Sequence, residues 1–252
     1  ERSFLRVCAR KTWRFFVEFS GADNNWLPPD NYQETPVPQI AKRTSPTNIG
    51  MYLLSTLAAY DFRYISGTQL LDRVGNIFRT MEKMERYRGN FYNWYDTRTL
   101  KPLEPLYVST VDSGNLAGSV VVLKQGLESF GDLPVIPMNM IEGLRDTANV
   151  LMDAVEKAEK VPQEVKNTAG DILKILSSAD NSPRGIREVL NRTVSLAAGI
   201  GACGWSDRKG EVSWWAGELE RNSTAWISDM DLFIPWASGK SDADQRPLTG
   251  VP

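Results

Sequence analysis

The chain has 252 residues, with 29 basic against 31 acidic side chains, a net charge of −2, 42% hydrophobic residues and no histidine. This is enough apolar material for one large domain or two small ones, and so even a charge mix, without a basic block, excludes a nucleic-acid partner. The missing histidines exclude Ser–His and Cys–His nucleophiles and the commonest zinc ligand sets, leaving carboxylates and tyrosines for acid–base work.

No apolar run approaches the ~20 residues that span a bilayer, and no charged-then-apolar signal segment opens the chain, so this piece is expected to be soluble. Its first residue is Glu1, followed at once by an amphipathic pattern, which suggests an internal part of a longer protein. Cys8 and Cys203 lie too far apart in sequence to imply a disulfide framework or a CxxC metal site, and both are expected to be small core residues.

In chain order, Phe4, Cys8, Phe15, Phe16 and Phe19 recur at helical spacing and predict an amphipathic helix over Arg2 to Phe19, with Arg6, Arg10, Arg14 and Glu18 on its solvent face. Gly21 to Thr44 carries Pro28, Pro29, Pro36 and Pro38, which forbid helix interiors and central strands. A loop of this length tends to be functional, and its segment Leu27 to Glu34 gathers Asp30, Asn31, Gln33 and Glu34 around Tyr32. A solvated surface loop is the plain alternative.

Ser45 and Pro46 form a helix start, with Ile49, Leu53, Leu57 and Tyr60 as the buried stripe to about Tyr64. Arg43, Thr44, Thr47 and Asn48 stand at that N-terminus, where backbone N–H groups and hydroxyls can meet ligand oxygens. A second helix is predicted from Gly67 to Arg88, with Leu70, Val74, Ile77, Phe78, Met81 and Met84 inward and Gly89 as its stop.

The stretch Asn90 to Asn115 is the most informative. Phe91, Tyr92, Trp94 and Tyr95 alternate with Asn93 and Asp96, a proline-pinned turn follows, and Asp112 and Asn115 close it. Flat apolar rings edged with short polar groups suit a sugar, whose C–H faces stack on aromatics and whose hydroxyls need aimed partners. A buried aromatic hairpin is the alternative. The stretch predicts two short strands, Phe91 to Tyr95 and Leu106 to Ser109, then a helix from about Asp112 with core stripe Leu116, Val120, Leu123 and Leu127. Gly114 and Gly118 are expected to admit a close neighbour.

Further helices are predicted at Met138 to Lys160, Pro162 to Ser178, Pro183 to about Ile200 and Gly210 to Phe233, with Trp214, Trp215 and Trp226 as core rings and residues 235–252 as an irregular tail. The sequons at Asn191 and Asn222 fall within these helices and carry no functional reading. Repeated helix hairpins with polar, aromatic loops predict an all-α fold, an incomplete α/α toroid of (α/α)6 type with a short β-hairpin insertion, formed by residues 1–252 as one domain; an ordinary helical bundle is the alternative.

KTWRFF (Lys11 to Phe16), WLPPDNYQE (Trp26 to Glu34), RTSPTNIG (Arg43 to Gly50), NFYNWYDTRTLKPLEPLYVSTVDSGNLAG (Asn90 to Gly118) and WW..ELE (Trp214 to Glu220) resemble the glucoamylase-like middle domain of bacterial cyclic β-1,2-glucan synthases. The match is long and specific to about Leu127 and weaker from Met138 to Gly204. The resemblance implies an (α/α)6 toroid lying between a membrane-embedded glycosyltransferase part and a phosphorylase-like part, on the cytoplasmic side of the inner membrane. It implies retaining transglycosylation that closes linear β-1,2-glucan into rings, with two catalytic glutamates in the later half of the toroid, past the last residue here.

The resemblance thus implies a sugar groove built from Asp30, Tyr32, Glu34, Arg43, Asn48, Asn93, Trp94, Tyr95, Asp96, Asp112 and Asn115, with no cofactor and no metal. Glu34, Asp96 and Asp112 are the minor candidates for a carboxylate dyad, which needs a separation of roughly 5 to 10 Å. Its expected partners are the glucan, the remaining half of the toroid, other domains of the polypeptide and, for the isolated piece, further copies of itself. A non-catalytic helical interaction module is the competing reading.

Overall fold

Serine hydroxyls mark where most of the early helices begin. In the computed structural model, which describes residues 2–180, 182–205, 207 and 210–238, Ser45 caps α2 (Pro46–Asp61) by accepting the Asn48 N–H at 3.2 Å. Ser66 and Gln69 form a reciprocal capping box on α3 (Gly67–Lys83), and Ser109 accepts the Asp112 N–H at 3.1 Å to start α4 (Thr110–Gly131). Each hydroxyl satisfies one of the N–H groups that a helix start leaves without a partner. The remaining helices are α1 (Arg2–Phe19), α5 (Ile141–Lys157, after a 3-10 turn at Met138–Met140), α6 (Gln163–Ser177), α7 (Pro183–Ala202) and α8 (Glu211–Phe233). The all-α expectation holds, and helix boundaries fall within a few residues of those read from the sequence. Of the tail expected over 235–252, Pro235–Ser238 form a 3-10 turn and the rest lies outside the described residues. No helix among the described residues is long and apolar enough to cross a membrane.

The chain divides into two compact units, Glu1–Leu133 and Pro134–Pro252. In the second, α5 packs on α6 and α8, and α7 on α6 and α8, so the four helices close on one another in the manner of the bundle alternative. Trp215 and Trp226 are 1% and 0% exposed there. Trp214 is only half-buried and stands edge-on to Trp215, with ring centroids 4.5 Å apart.

In the first unit, α2 is the central helix, packing on α1, α3 and α4. Its facing partners on α4 fix the direction. Thr47 meets Asp112 and Asn115, Gly50 lies against Leu116 and Ser119, and Leu57 lies against Gly126. Rising numbers on both sides mean that α2 and α4 run parallel, with α3 as the return between them. A Cβ on Gly50 would sit 2.6 Å from Ser119 Oγ, and one on Gly126 would collide with the Leu57 side chain. These are the glycines that let the helices close. Gly114 and Gly118, expected to play that part, face open space, because they lie on the side of α4 turned away from α2. Gly126→Ala is therefore expected to destabilise the unit by about 1–3 kcal/mol through overpacking. Gly118→Ala should stabilise it by up to about 1 kcal/mol through helix propensity. Denaturant melts of the two variants measured side by side check both signs.

Three further expectations are corrected. On α1, Phe4 is 68% exposed and Cys8 is exposed, whereas Arg10 and Trp13 are buried. The N-terminal part of the expected solvent face is drawn in because guanidinium planes stack on rings, Arg10 lying 5.2 Å from the Tyr64 centroid and Arg6 5.5 Å from that of Phe62, whereas toward the C-terminal end Glu18 is exposed and Phe16 stacks on Tyr52 as expected. Cys203 is also exposed, so neither cysteine is a core residue. On α4 only Leu116 and Leu123 of the stripe are buried; Val120 and Leu127 line a shallow groove with Phe78.

The strands are short. Arg86–Tyr87 (β4) and Asn90–Phe91 (β5) pair across Arg88 and Gly89, both at positive φ (50° and 86°). That two-residue turn matches strand twist, so α3 stops at Lys83 rather than continuing to Arg88. Tyr32–Gln33 (β1) pairs with Gln39–Ile40 (β2), and Arg43–Thr44 (β3) with Tyr95–Asp96 (β6). The strand expected at Leu106 to Ser109 does not form as a ladder. The Asn93 N–H donates to Tyr107 O at 2.9 Å, while the Leu106 N–H turns back to Glu104 Oε2 at 3.0 Å; just before the segment, the Leu103 N–H donates to Trp94 O at 2.9 Å.

Candidate functional site

The β3–β6 pairing brings Arg43 beside Trp94, and the parallel N-termini of α2 and α4 bring Thr47, Asn48, Asp112 and Asn115 to the same place. The long loop is tied down around them. Asn25 Nδ2 donates to Thr97 O and Arg98 O, both at 2.9 Å, and the Ala41 N–H donates to Asn31 O at 3.0 Å. It is thus an ordered wall, which presents Asp30 to α2.

Two linked sets of bonds define the site. In the first, Asp30 Oδ2 accepts from Arg43 Nε at 3.2 Å and Nη2 at 3.0 Å, while its Oδ1 accepts from Asn48 Nδ2 at 3.3 Å. The Arg43 guanidinium lies over the Trp94 ring, 4.6 Å from its centroid. In the second, the buried Asn93 amide joins three side chains, and its orientation follows from them, since the indole N–H can only donate and a carboxylate oxygen only accept: its oxygen accepts from the Trp94 indole N–H at 2.8 Å and the Tyr107 hydroxyl at 2.6 Å, and its nitrogen donates to Asp112 Oδ2 at 2.8 Å. Thr47 donates its hydroxyl to Asp112 Oδ1 at 2.5 Å and accepts from Asn115 Nδ2 at 3.1 Å. Trp94 belongs to both sets and remains half-buried. Its ring is therefore oriented by one neighbour and covered by another.

Of the residues predicted from the sequence, Asp30, Arg43, Asn48, Asn93, Trp94, Asp112 and Asn115 come together here. Tyr32 and Glu34 do not join the network: Tyr32 lies on β1 with its ring 5.0 Å from that of Phe19, and Glu34 is exposed. Tyr95 is fully buried, its hydroxyl donating to Glu85 O and accepting from the Tyr92 N–H, both at 2.7 Å. Burial pushes its phenol up to about 12, so Tyr95 is a neutral strut under the hairpin with no face toward a ligand.

Asp96 builds the turn that follows it, accepting the N–H groups of Arg98 and Thr99 at 2.9 Å. Burial alone would raise its carboxyl, but the donors from Thr99 and Arg98 outweigh that and hold it below the usual carboxylate range. A carboxylate so engaged is a poor proton donor. Tyr107 was not singled out as a contact by sequence reasoning, and Thr47 was placed at the α2 N-terminus as a hydroxyl for ligand oxygens but not as a partner of Asp112. Thr47 sits two positions after the α2 cap, and Tyr107 inside the aromatic stretch, so both carried a signal of position and neither a signal of partner. Among the described residues no group of three or more His, Cys, Asp or Glu side chains could hold a metal ion.

No family model matches the chain. It is similar to cyclic beta-(1,2)-glucan synthase NdvB of Rhizobium meliloti (strain 1021), at 35% identity over 240 residues, an alignment covering 89% of this chain and 8% of that protein. At that identity along most of its length, though it spans only a small part of the relative, the similarity supports placing this chain with the cyclic β-1,2-glucan synthases that its motifs resemble.

Proposed function

We propose that the first unit forms the front wall of a groove for linear β-1,2-glucan, within a glucoamylase-like α/α domain that, in its complete form, remodels and closes that glucan by transglycosylation. The observation that carries the reading is the single network in which Asn93, Asp112, Thr47, Asp30 and Arg43 fix the half-buried Trp94 ring at the paired starts of α2 and α4. An oriented ring edged with amides, hydroxyls and carboxylates offers stacking and aimed hydrogen bonds in one place, which is what a neutral sugar rewards. The parallel α2 and α4 with α3 returning between them are the step from which α/α arrays are built, and this supports the toroid reading.

The role assigned to this chain is binding. Asp96 is committed to its turn and Asp112 to Thr47 and Asn93, while Glu34 stands outside the network, so none is assigned as a nucleophile or general acid. The glucan, the rest of the toroid and the other domains of a larger protein at the cytoplasmic face of the inner membrane are the proposed partners. Calorimetric titration of the folded chain with linear β-1,2-glucan tests the reading: saturable heat is expected, and its absence overturns the proposal. Trp94→Ala should weaken that binding by about 1–3 kcal/mol, the scale of one large ring contact. A folded variant of unchanged affinity would make Trp94 a framework residue.

The second unit supports a different role. Its α5–α8 bundle holds none of the network residues, which suits a helical docking or spacing element. A pulldown that survives Trp94→Ala but fails when Trp214 is replaced by Ala is the expected signature of that role.

A further inference from the structure

Trp94 meets its surroundings with the Arg43 guanidinium already on its face, 4.6 Å from the ring centroid. The side chain of Arg43 is 50% exposed and covers one face of a ring that is itself less exposed. The guanidinium is held at its other side by Asp30, through Nε at 3.2 Å and Nη2 at 3.0 Å. Asp30 does not depend on this pair, since Asn48 at 3.3 Å and Asn31 at 3.1 Å also donate to it. The indole N–H, by contrast, is fixed by Asn93 from within.

From this asymmetry we propose that Arg43 is a displaceable lid on the Trp94 platform, and that a sugar ring stacks on the face the guanidinium vacates. The inference rests on the glucan-binding reading of the same site. Each tie that closes the lid is of the weak kind, an exposed ion pair and an exposed cation–π contact, while the groups it leaves behind keep other partners. Opening leaves the Asp30 carboxylate, 19% exposed, still hydrogen-bonded by Asn48 and Asn31. The lid shields the ring from non-specific apolar contact in the empty state and taxes binding by the fraction of time it is closed.

The test is calorimetric titration of linear β-1,2-glucan into the whole chain, Arg43→Ala and Trp94→Ala. Arg43→Ala is expected to bind roughly three- to tenfold more tightly, by removal of the two weak ties, and Trp94→Ala to lose affinity. Equal or weaker binding by Arg43→Ala, with Trp94→Ala still impaired, overturns the lid and leaves the binding site in place. No heat from any of the three overturns both. A second measurement needs no variant: salt weakens exposed ion pairs, so the unmodified chain should bind the uncharged glucan more tightly as ionic strength rises. Affinity that is flat or falls with salt sinks the proposal.

Discussion

Trp215→Ala is expected to lower the unfolding free energy by about 3–5 kcal/mol, the cost of emptying a large buried ring site that its surroundings refill only in part. The ring is 1% exposed, packs edge-on to Trp214 and donates its indole N–H to Glu211 Oε2 at 3.1 Å within α8. The helix carrying it touches both α5 and α7, so a cavity there loosens two of the bundle's contacts at once. Glucan affinity, measured where the variant is still folded, should stay at the level of the unmodified chain, because every residue of the network lies in Glu1–Leu133. A melt that does not move would mean that the bundle relaxes around the missing ring. A large change in affinity would tie the second unit to the site.

Asn93→Leu is the second large effect, and it should appear in the opposite place. Leucine keeps the volume and removes an amide that serves Trp94, Tyr107 and Asp112 together. Trp94 and Tyr107 are partly exposed and can turn to water, so the loss of stability is held to about 1–3 kcal/mol, the cost of one poorly satisfied buried partner. Binding should suffer more: an indole no longer fixed and an Asp112 held by Thr47 alone are expected to reduce glucan affinity by at least about tenfold, or roughly 1.4 kcal/mol. Tyr107→Phe, which deletes one of the three bonds, should fall between. Calorimetry paired with denaturant melts separates the two readouts. An Asn93→Leu chain that binds normally would show that the network is scaffolding alone.

Most of the helices could be read from the sequence because their signals are local. Ser45-Pro46, Ser66 with Gln69, and Ser182-Pro183 announce helix starts within a few residues, and apolar periodicity runs through the interiors. What failed depended on distant partners. The orientation of α1 turns on Tyr64 and Phe62, some fifty residues away, which make burial of Arg10 and Arg6 favourable. Gly50 and Gly126 look no different in sequence from Gly114 and Gly118; only the direction of α2 against α4 tells them apart. The same limit divided the candidate site. Short polar side chains next to helix starts do meet in the structure, but Tyr95 and Trp94, adjacent and alike in composition, differ: Tyr95 is buried with its hydroxyl bonded to Glu85 and Tyr92, whereas Trp94, just before the strand, stays partly exposed. Asp96 looked like a ligand contact and is a turn residue, a distinction that rests on its bonds to Arg98 and Thr99.

The parallel course of α2 and α4 also has an electrostatic consequence. Each helix start carries about half a positive charge from its aligned peptide dipoles, and two starts side by side would make a patch inviting to phosphate. Here Asp112 sits in the first turn of α4, and Asp30 is bonded to Asn48 in the first turn of α2, so a carboxylate already stands at each pole. An uncharged polyol meets a nearly neutralised field rich in directional partners, so the backbone itself favours hydroxyl-bearing ligands over anionic ones.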